Sequence, residues 1–287
     1  MSMRRFLAMA MAAALLGGCV ALPERNGALG LTRLGAAAEA ERMEREPVQL
    51  LRPVVVLNGY HGLPTLANRV ARRLGEMTSG KPGDFLAISY TFSGDLDDVC
   101  GTILREVEAR WPSPDPERTI EVDVVGVSMG GIAARWAALT PEARAEVRGR
   151  SMSEDPDPAD QGPALRKRLR IARLYTISAP HRGSRMAEIL ALDPATADMR
   201  GGSAFLHAID TALPGAGFEL VCYTQCRDNL VGATRTAPPG QEPIWTSGTL
   251  VFSHFTASRN PMFLVDIARR LRGETPLLQA GDAPPAD

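Results

Sequence analysis

The sequence has almost no net charge, no internal repeat, no apolar run long enough to cross a bilayer, and few histidines or cysteines. With 32 basic and 33 acidic side chains the formal charge is −1, so no face has to be strongly basic and nucleic acid is not an expected partner. The missing repeat excludes a solenoid. Four histidines, His61, His181, His207 and His254, and four cysteines leave few side chains for metal or base chemistry. No second pair of ligands has the spacing of a zinc site. What remains is 287 residues, enough for one sizeable α/β core or two small domains.

The first segment, "MSMRRFLAMAMAAALLGGCV", places Arg4 and Arg5 before an apolar run from Phe6 to Gly18. A span needs about 20 apolar residues, so this shorter run reads as a secretory signal. Its end, Leu16-Gly17-Gly18-Cys19, resembles a bacterial lipobox. That resemblance implies cleavage after residue 18, a lipid on Cys19 and attachment to a membrane. With Val20 rather than Asp behind the cysteine, it also implies the outer membrane, facing the periplasm. Cys100, Cys222 and Cys226 then remain, an odd number in a compartment that permits disulfides. On a straight strand Cys222 and Cys226 stand roughly 13 Å apart, whereas a bridge needs Cα atoms within about 7 Å. Such a bridge would require a bend at Thr224 and Gln225, and the sequence leaves both outcomes open.

Residues 19–50, with the polar helix "LGAAAEAERMERE", read as a tether. From Pro53 strands and helices alternate. Strands are expected at 54–58, 85–90, 119–127, 169–178, 218–224 and 248–252, and helices at 63–78, 95–111, 129–139 and 261–272, the last with Pro at its start. This alternation argues for a mostly parallel sheet covered by helices on both faces, in a domain over 51–273. Sites in such sheets form beyond the carboxyl ends of the strands. The polar, Pro-rich stretch within 140–168 reads as surface loop. Residues 181–217, with the helical pieces "RMAEILAL" and "SAFLHAIDTAL", read as a small cap insertion. The tail 274–287 reads as disordered.

Between the third strand and the helix after it lies Gly126-Val127-Ser128-Met129-Gly130. The two glycines permit a sharp strand–turn–helix that holds a serine hydroxyl above the sheet. The same turn aims the N–H of Met129, at a helix N-terminus, toward a developing oxyanion. A serine hydroxyl needs a base. His254, just past the sixth expected strand, would stand at the same sheet edge. His181 is the rival and is expected to shape the loop near the site, and His207 is expected to be packed. The base needs an acid to fix its tautomer. Asp228, after the fifth strand, fits the chain order Ser128, Asp228, His254, with Asp193, Glu219 and Glu242 as rivals. In "VVLNGYHG", Asn58-Gly59 let the chain turn so that the N–H of Tyr60, or alternatively of His61, can join that of Met129.

These residues carry a resemblance. "GVSMGG", "LNGYHG", "ISAPHRGS", "DMRGGSAFLHAI" and the Asp228 and His254 segments resemble the α/β-hydrolase superfamily, and within it bacterial lipases and esterases, over roughly residues 53–272. "SAPHRGS" is similar to the Thr-Pro-His-x-Gly-Ser element of many lipases. The usual His-Gly after the first strand is Asn58-Gly59 here. The resemblance implies an α/β-hydrolase fold and carboxylic-ester hydrolysis through an acyl-enzyme on Ser128, without metal or organic cofactor, acting on lipid or other acyl esters. Two alternatives use the same residues differently. One is an acyltransferase or thioesterase with the same triad, and the other a non-catalytic lipoprotein of this fold that binds lipid or a partner.

Overall fold

The computed structural model describes residues 26–27, 29–60, 62, 64–90, 94–149, 166–190, 193–249 and 252–285. Cys19, and with it the expected signal and lipid attachment, lies outside the described residues, as does His61. Six strands form one parallel sheet in the order β2-β1-β3-β4-β5-β6. They are β1 (Val54–Leu57), β2 (Phe85–Ile88), β3 (Arg118–Val127), β4 (Arg168–Ile177), β5 (Glu219–Gln225) and β6 (Ile244–Thr246). The central strands are β-branched and buried on both faces, as a parallel sheet under two helical layers requires.

Alternation along each strand divides the core. Val55 and Leu57 of β1 and Val122 and Val124 of β3 point to one layer. That layer contains α3 (Leu96–Arg110), α4 (Met129–Ala137) and α8 (Ala204–Ala212). Val54, Val56 and Val125 point to the other, built from α1 (Arg33–Arg45), α2 (Pro64–Met77) and α10 (Pro261–Leu271). The short helices α5 (Pro141–Val147), α6 (Arg185–Ile189) and α7 (Pro194–Asp198) pack with the first layer and α9 (Ser253–Ala257) with the second. From β1 the chain moves outward to β2, then returns to place β3 on the other side of β1. The crevice between the carboxyl ends of β1 and β3 is therefore the topological switch point, where such sheets gather ligands.

Four expectations are corrected. Among the described residues the last strand is Ile244–Thr246: the N–H of Cys226 donates to the Thr246 carbonyl at 2.9 Å, so "IWT" takes the edge of the sheet. Gly248, Thr249 and Phe252 of the expected strand 248–252 are outside it, and Leu250 and Val251 lie outside the described residues. Gly248 instead packs so tightly on the Cys226 carbonyl and the Ser253 hydroxyl that a Cβ there would lie 1.7 Å and 2.2 Å from them. The helix expected in the tether docks on the domain, burying Ala36, Ala40 and Met43 against α2 and α10. A narrow apolar stripe at helical spacing is enough to do this despite the polar composition. The tail docks as well. Leu278 is fully buried, and the N–H groups of Leu277 and Leu278 donate to Asp266 Oδ1 at 2.6 and 2.8 Å. Finally, His207 is exposed on α8, while its neighbours Phe205 and Leu206 face inward.

The segment 181–217 is partly core. Phe205 of α8 stacks on Trp136 of α4 with ring centroids 4.8 Å apart. Within 140–168, residues 141–147 form α5, opened by the Thr140 cap, and 150–165 lie outside the described residues. Cys222 and Cys226 are both buried and unbridged, because β5 stays extended through Gln225. Among the described residues no helix is long and apolar enough to cross a membrane, and no group of side chains could hold a metal ion.

Candidate active site

β3 delivers Ser128 to the switch point in a conformation that L side chains rarely adopt, φ 52° and ψ −127°. Such a backbone costs of order 1–3 kcal/mol and persists only where its surroundings hold it. Here the surroundings are three glycines. A Cβ on Gly126 would come within 2.5 Å of Gly131, one on Gly130 within 2.5 Å of the Asn58 carbonyl, and one on Gly131 within 2.6 Å of Ala179. The Ser128 N–H is paired with the Ile177 carbonyl at 2.8 Å, which ties the turn to β4. Met129 is the first residue of α4, so its N–H has no intrahelical acceptor.

β5 delivers the carboxylate. Arg227 turns the chain at φ 61°, after which Asp228 Oδ1 accepts from the N–H groups of Leu230 and Val231 at 3.1 and 3.0 Å. Its carbonyl accepts from Gly232 at 2.7 Å. The side chain is fully buried. Burial alone would raise its pKa, but the hydrogen bond and charge of His254, with the two N–H groups, outweigh that and hold the carboxyl below its usual range.

His254, the second residue of α9, joins the two. Its Nδ1 lies 2.9 Å from Asp228 Oδ2 and its Nε2 3.0 Å from Ser128 Oγ. An ionised carboxylate only accepts, so Nδ1 carries the proton and donates it to Asp228. Nε2 is then the acceptor facing the serine hydroxyl. Ser128, Asp228 and His254, nominated from three distant segments, form one continuous hydrogen-bonded chain.

The rivals are placed elsewhere. His181 is fully buried, between Arg135 (Nδ1 to Nη1, 2.9 Å) and Thr176 (Nε2 to Oγ1, 3.0 Å). Burial, then the charges of Arg135 and Arg182, drive its pKa well below the ordinary value, so it stays neutral. It pins the β4 exit loop to α4. Glu219 and Glu242 are exposed at other places on the sheet. Asp193 caps α7 through a capping box with Thr196.

Asp193 also has a part that sequence reasoning missed. Its Oδ2 accepts from the Tyr60 hydroxyl at 2.5 Å. Burial, then this hydrogen bond, pushes the Tyr60 pKa up to about 12. The loop after β1 is thereby fastened to the 181–217 segment. Within the loop, a Cβ on Gly59 would stand 3.1 Å from Ser128 Cβ, so the backbone passes directly beside the serine. The Gly59 N–H is engaged by Asn58 Oδ1 at 2.9 Å, and Tyr60 is the residue that follows it. The Asn58 side chain is itself held by Ser89 at 3.2 Å, and its carbonyl accepts from the Tyr90 hydroxyl. No sequence signal marked the Tyr60–Asp193 pair, because it joins residues 133 positions apart.

No protein-family description matches the chain, and no curated relative is similar to it. Solved structures are. A phospholipase PlaB from Legionella pneumophila superposes with TM-score 0.51 at 12% identity, covering 77% of this chain and 59% of that one. The propeptide form of the lipase BlEst2 from Bacillus licheniformis gives 0.50 at 14% identity, covering 83% of this chain and 54% of that one. The matched region is thus less than two thirds of either protein. At such identities the likeness is one of backbone architecture, and it agrees with the strand order and the strained serine turn: the chain has an α/β-hydrolase fold.

Proposed function

We propose that the chain is a serine hydrolase that cleaves carboxylic esters, lipid or other acyl esters among them, through an acyl-enzyme on Ser128. The observation that carries this reading is the unbroken relay Ser128 Oγ, His254 Nε2, His254 Nδ1, Asp228 Oδ2, with links of 3.0 and 2.9 Å. A binding module needs no such relay. The names of the two similar structures, a phospholipase and a lipase, favour lipid esters as the substrate class. That support is weaker than the chemistry, because fold does not fix substrate.

In the proposed cycle Ser128 Oγ attacks the ester carbonyl carbon while its proton passes to His254 Nε2, and Asp228 stabilises the imidazolium. The charge developing on the carbonyl oxygen is met by the N–H groups of Met129 and Tyr60. Collapse of the tetrahedral adduct breaks the bond to the alcohol, which leaves with the proton from Nε2. Water then repeats the sequence on the acyl-enzyme, releasing the acid and restoring Ser128. Transfer to an acceptor other than water, or attack on a thioester, uses the same atoms.

Labelling with a fluorophosphonate probe, run beside hydrolysis of p-nitrophenyl esters of graded chain length, tests the reading. Labelling of the wild type that vanishes in Ser128→Ala, together with ester turnover, is the expected result. Absence of both would leave a non-catalytic lipoprotein of this fold. The proposal extends to location: lipid on Cys19 would tether the hydrolase to the outer membrane on its periplasmic side. Cys19→Ser should then move the protein from the membrane to the soluble fraction, and unchanged partitioning would refute the tether.

A further inference from the structure

A groove of about 310 Å³ opens between α1, α2 and the start of α10, apart from Ser128. Its floor is aliphatic, formed by Ala36, Ala40, Val70, Leu264 and Val265. Its rim is cationic, with Arg69, Arg72, Arg73 and Arg259 around it and no acidic side chain in the lining. Two of these charges are compensated from outside the groove: Arg72 pairs with Glu76, and Arg73 with Glu44 and Glu76. Arg69 and Arg259 are exposed and have no ion pair among the described residues. Ser258 lines the same groove, and its hydroxyl is buried without a hydrogen-bond partner among the described residues. Pro261, at the first position of α10, brings the positive end of that helix to the groove.

We propose that this groove is a second ligand site, specific for a single-chain fatty carboxylate, whose head group is held by Arg69 and Arg259 while its chain lies along the Ala40–Val70–Leu264 floor. An aliphatic floor takes an alkyl chain, since each methylene removed from water favours binding. Guanidinium groups match a carboxylate with paired N–H donors. The volume lies at the low end of small-molecule sites, about 300–1,000 Å³, which suits one chain better than two. Such a ligand is the acid that the proposed hydrolysis would release, but binding here does not depend on turnover. The groove meets the catalytic elements through α9, whose second residue is His254 and whose C-terminal cap is Ser258.

The test is calorimetric titration of the full chain with dodecanoate below its micellar concentration. One dodecanoate per groove is expected, weakened at least tenfold in Arg69→Ala/Arg259→Ala and also in Ala37→Trp, which places a ring in the groove from an exposed position. Dodecyltrimethylammonium, with the same chain and the opposite charge, should not compete. All three substitutions are at exposed lining positions, and circular dichroism verifies that the variants fold. Equal affinity in wild type and both variants would place the ligand elsewhere, the Ser128 crevice included, and overturn the proposal. Equal binding of the cationic amphiphile would reduce the groove to a non-selective apolar patch, and no binding at all would remove it. A wild type that binds dodecanoate in this way but hydrolyses no ester would refute the esterase reading alone.

Discussion

Replacing Tyr60 by Phe removes one oxygen atom and leaves the ring that packs against the core. The hydroxyl lost is the one that donates to Asp193 at 2.5 Å, so the loop after β1 loses its fastening to the 181–217 segment while the Tyr60 N–H is retained. Hydrogen bonds to charged groups contribute about 1.5–3 kcal/mol net. Tyr60 is half-buried, so solvent screening places its bond at the lower end. If that energy goes into holding the proposed oxyanion donor in position, kcat should fall about tenfold, since 1.4 kcal/mol is one decade. The ceiling is the roughly 10²- to 10³-fold loss that follows complete removal of a donor. KM for a short p-nitrophenyl ester should hardly change, because the interaction is made with the oxyanion and not with the bound ester. Affinity for a boronic acid, which copies the tetrahedral adduct on the serine, should drop by the same factor as kcat. Asp193→Asn keeps a capping side chain at α7 and should give a similar loss. The double variant should lose little more, as expected of two partners in one contact. A folded Tyr60→Phe with kcat within twofold of wild type would refute the fastening role.

Three further outcomes follow from the geometry. Asp228→Asn should lower ester turnover by about four powers of ten, since the amide no longer fixes the His254 tautomer; near-normal turnover would move the acid elsewhere. Gly130→Ala drives a Cβ to 2.5 Å from the Asn58 carbonyl and 2.9 Å from Leu57, both rigid neighbours. It should cost about 1–3 kcal/mol in urea unfolding and distort the serine turn, and a stable, fully active variant would contradict the packing described. His181 titrates near 6.5 when unfolded and well below that when folded, so at mildly acid pH only the unfolded chain takes up the proton. Stability should be complete above about pH 6.5 and fall as the pH drops below it, by at most about 1.4 kcal/mol per unit from this group. Urea midpoints that are flat between pH 7.5 and 5.5 would sink this account.

Much of the site was legible because its chemistry is written in local motifs at strand ends. Ser128 is announced by glycines whose need is steric, and Asp228 and His254 by their places after successive strands. What escaped the sequence depends on distance or on competition between equivalent patterns. "GTLVF" has the composition of a strand and "IWT" is too short to stand out, yet it is "IWT" that pairs with β5 through Cys226. The polar helix 33–45 looks like a tether until Ala36, Ala40 and Met43 find a surface shaped for them. The tail looks unstructured until Asp266, a carboxylate buried on α10, supplies an acceptor for its N–H groups. The Tyr60–Asp193 contact has no local signature at all.

The docking of α1 and of the segment after α10 on that last helix has a consequence for biogenesis. Arg42 of α1 reaches Glu274, 232 positions later, and Arg269 of α10 reaches back to Glu39. Arg272 closes over the carbonyls of Met43 and Met77 at 3.5 and 3.2 Å. While the ribosome is still making the middle of the chain, the apolar stripes of α1 and α2 have no cover. The native state therefore cannot be completed until the last helix and the segment behind it have been synthesised. A polypeptide interrupted before that point would present sticky surface to chaperones and proteases, whichever side of a membrane it had reached.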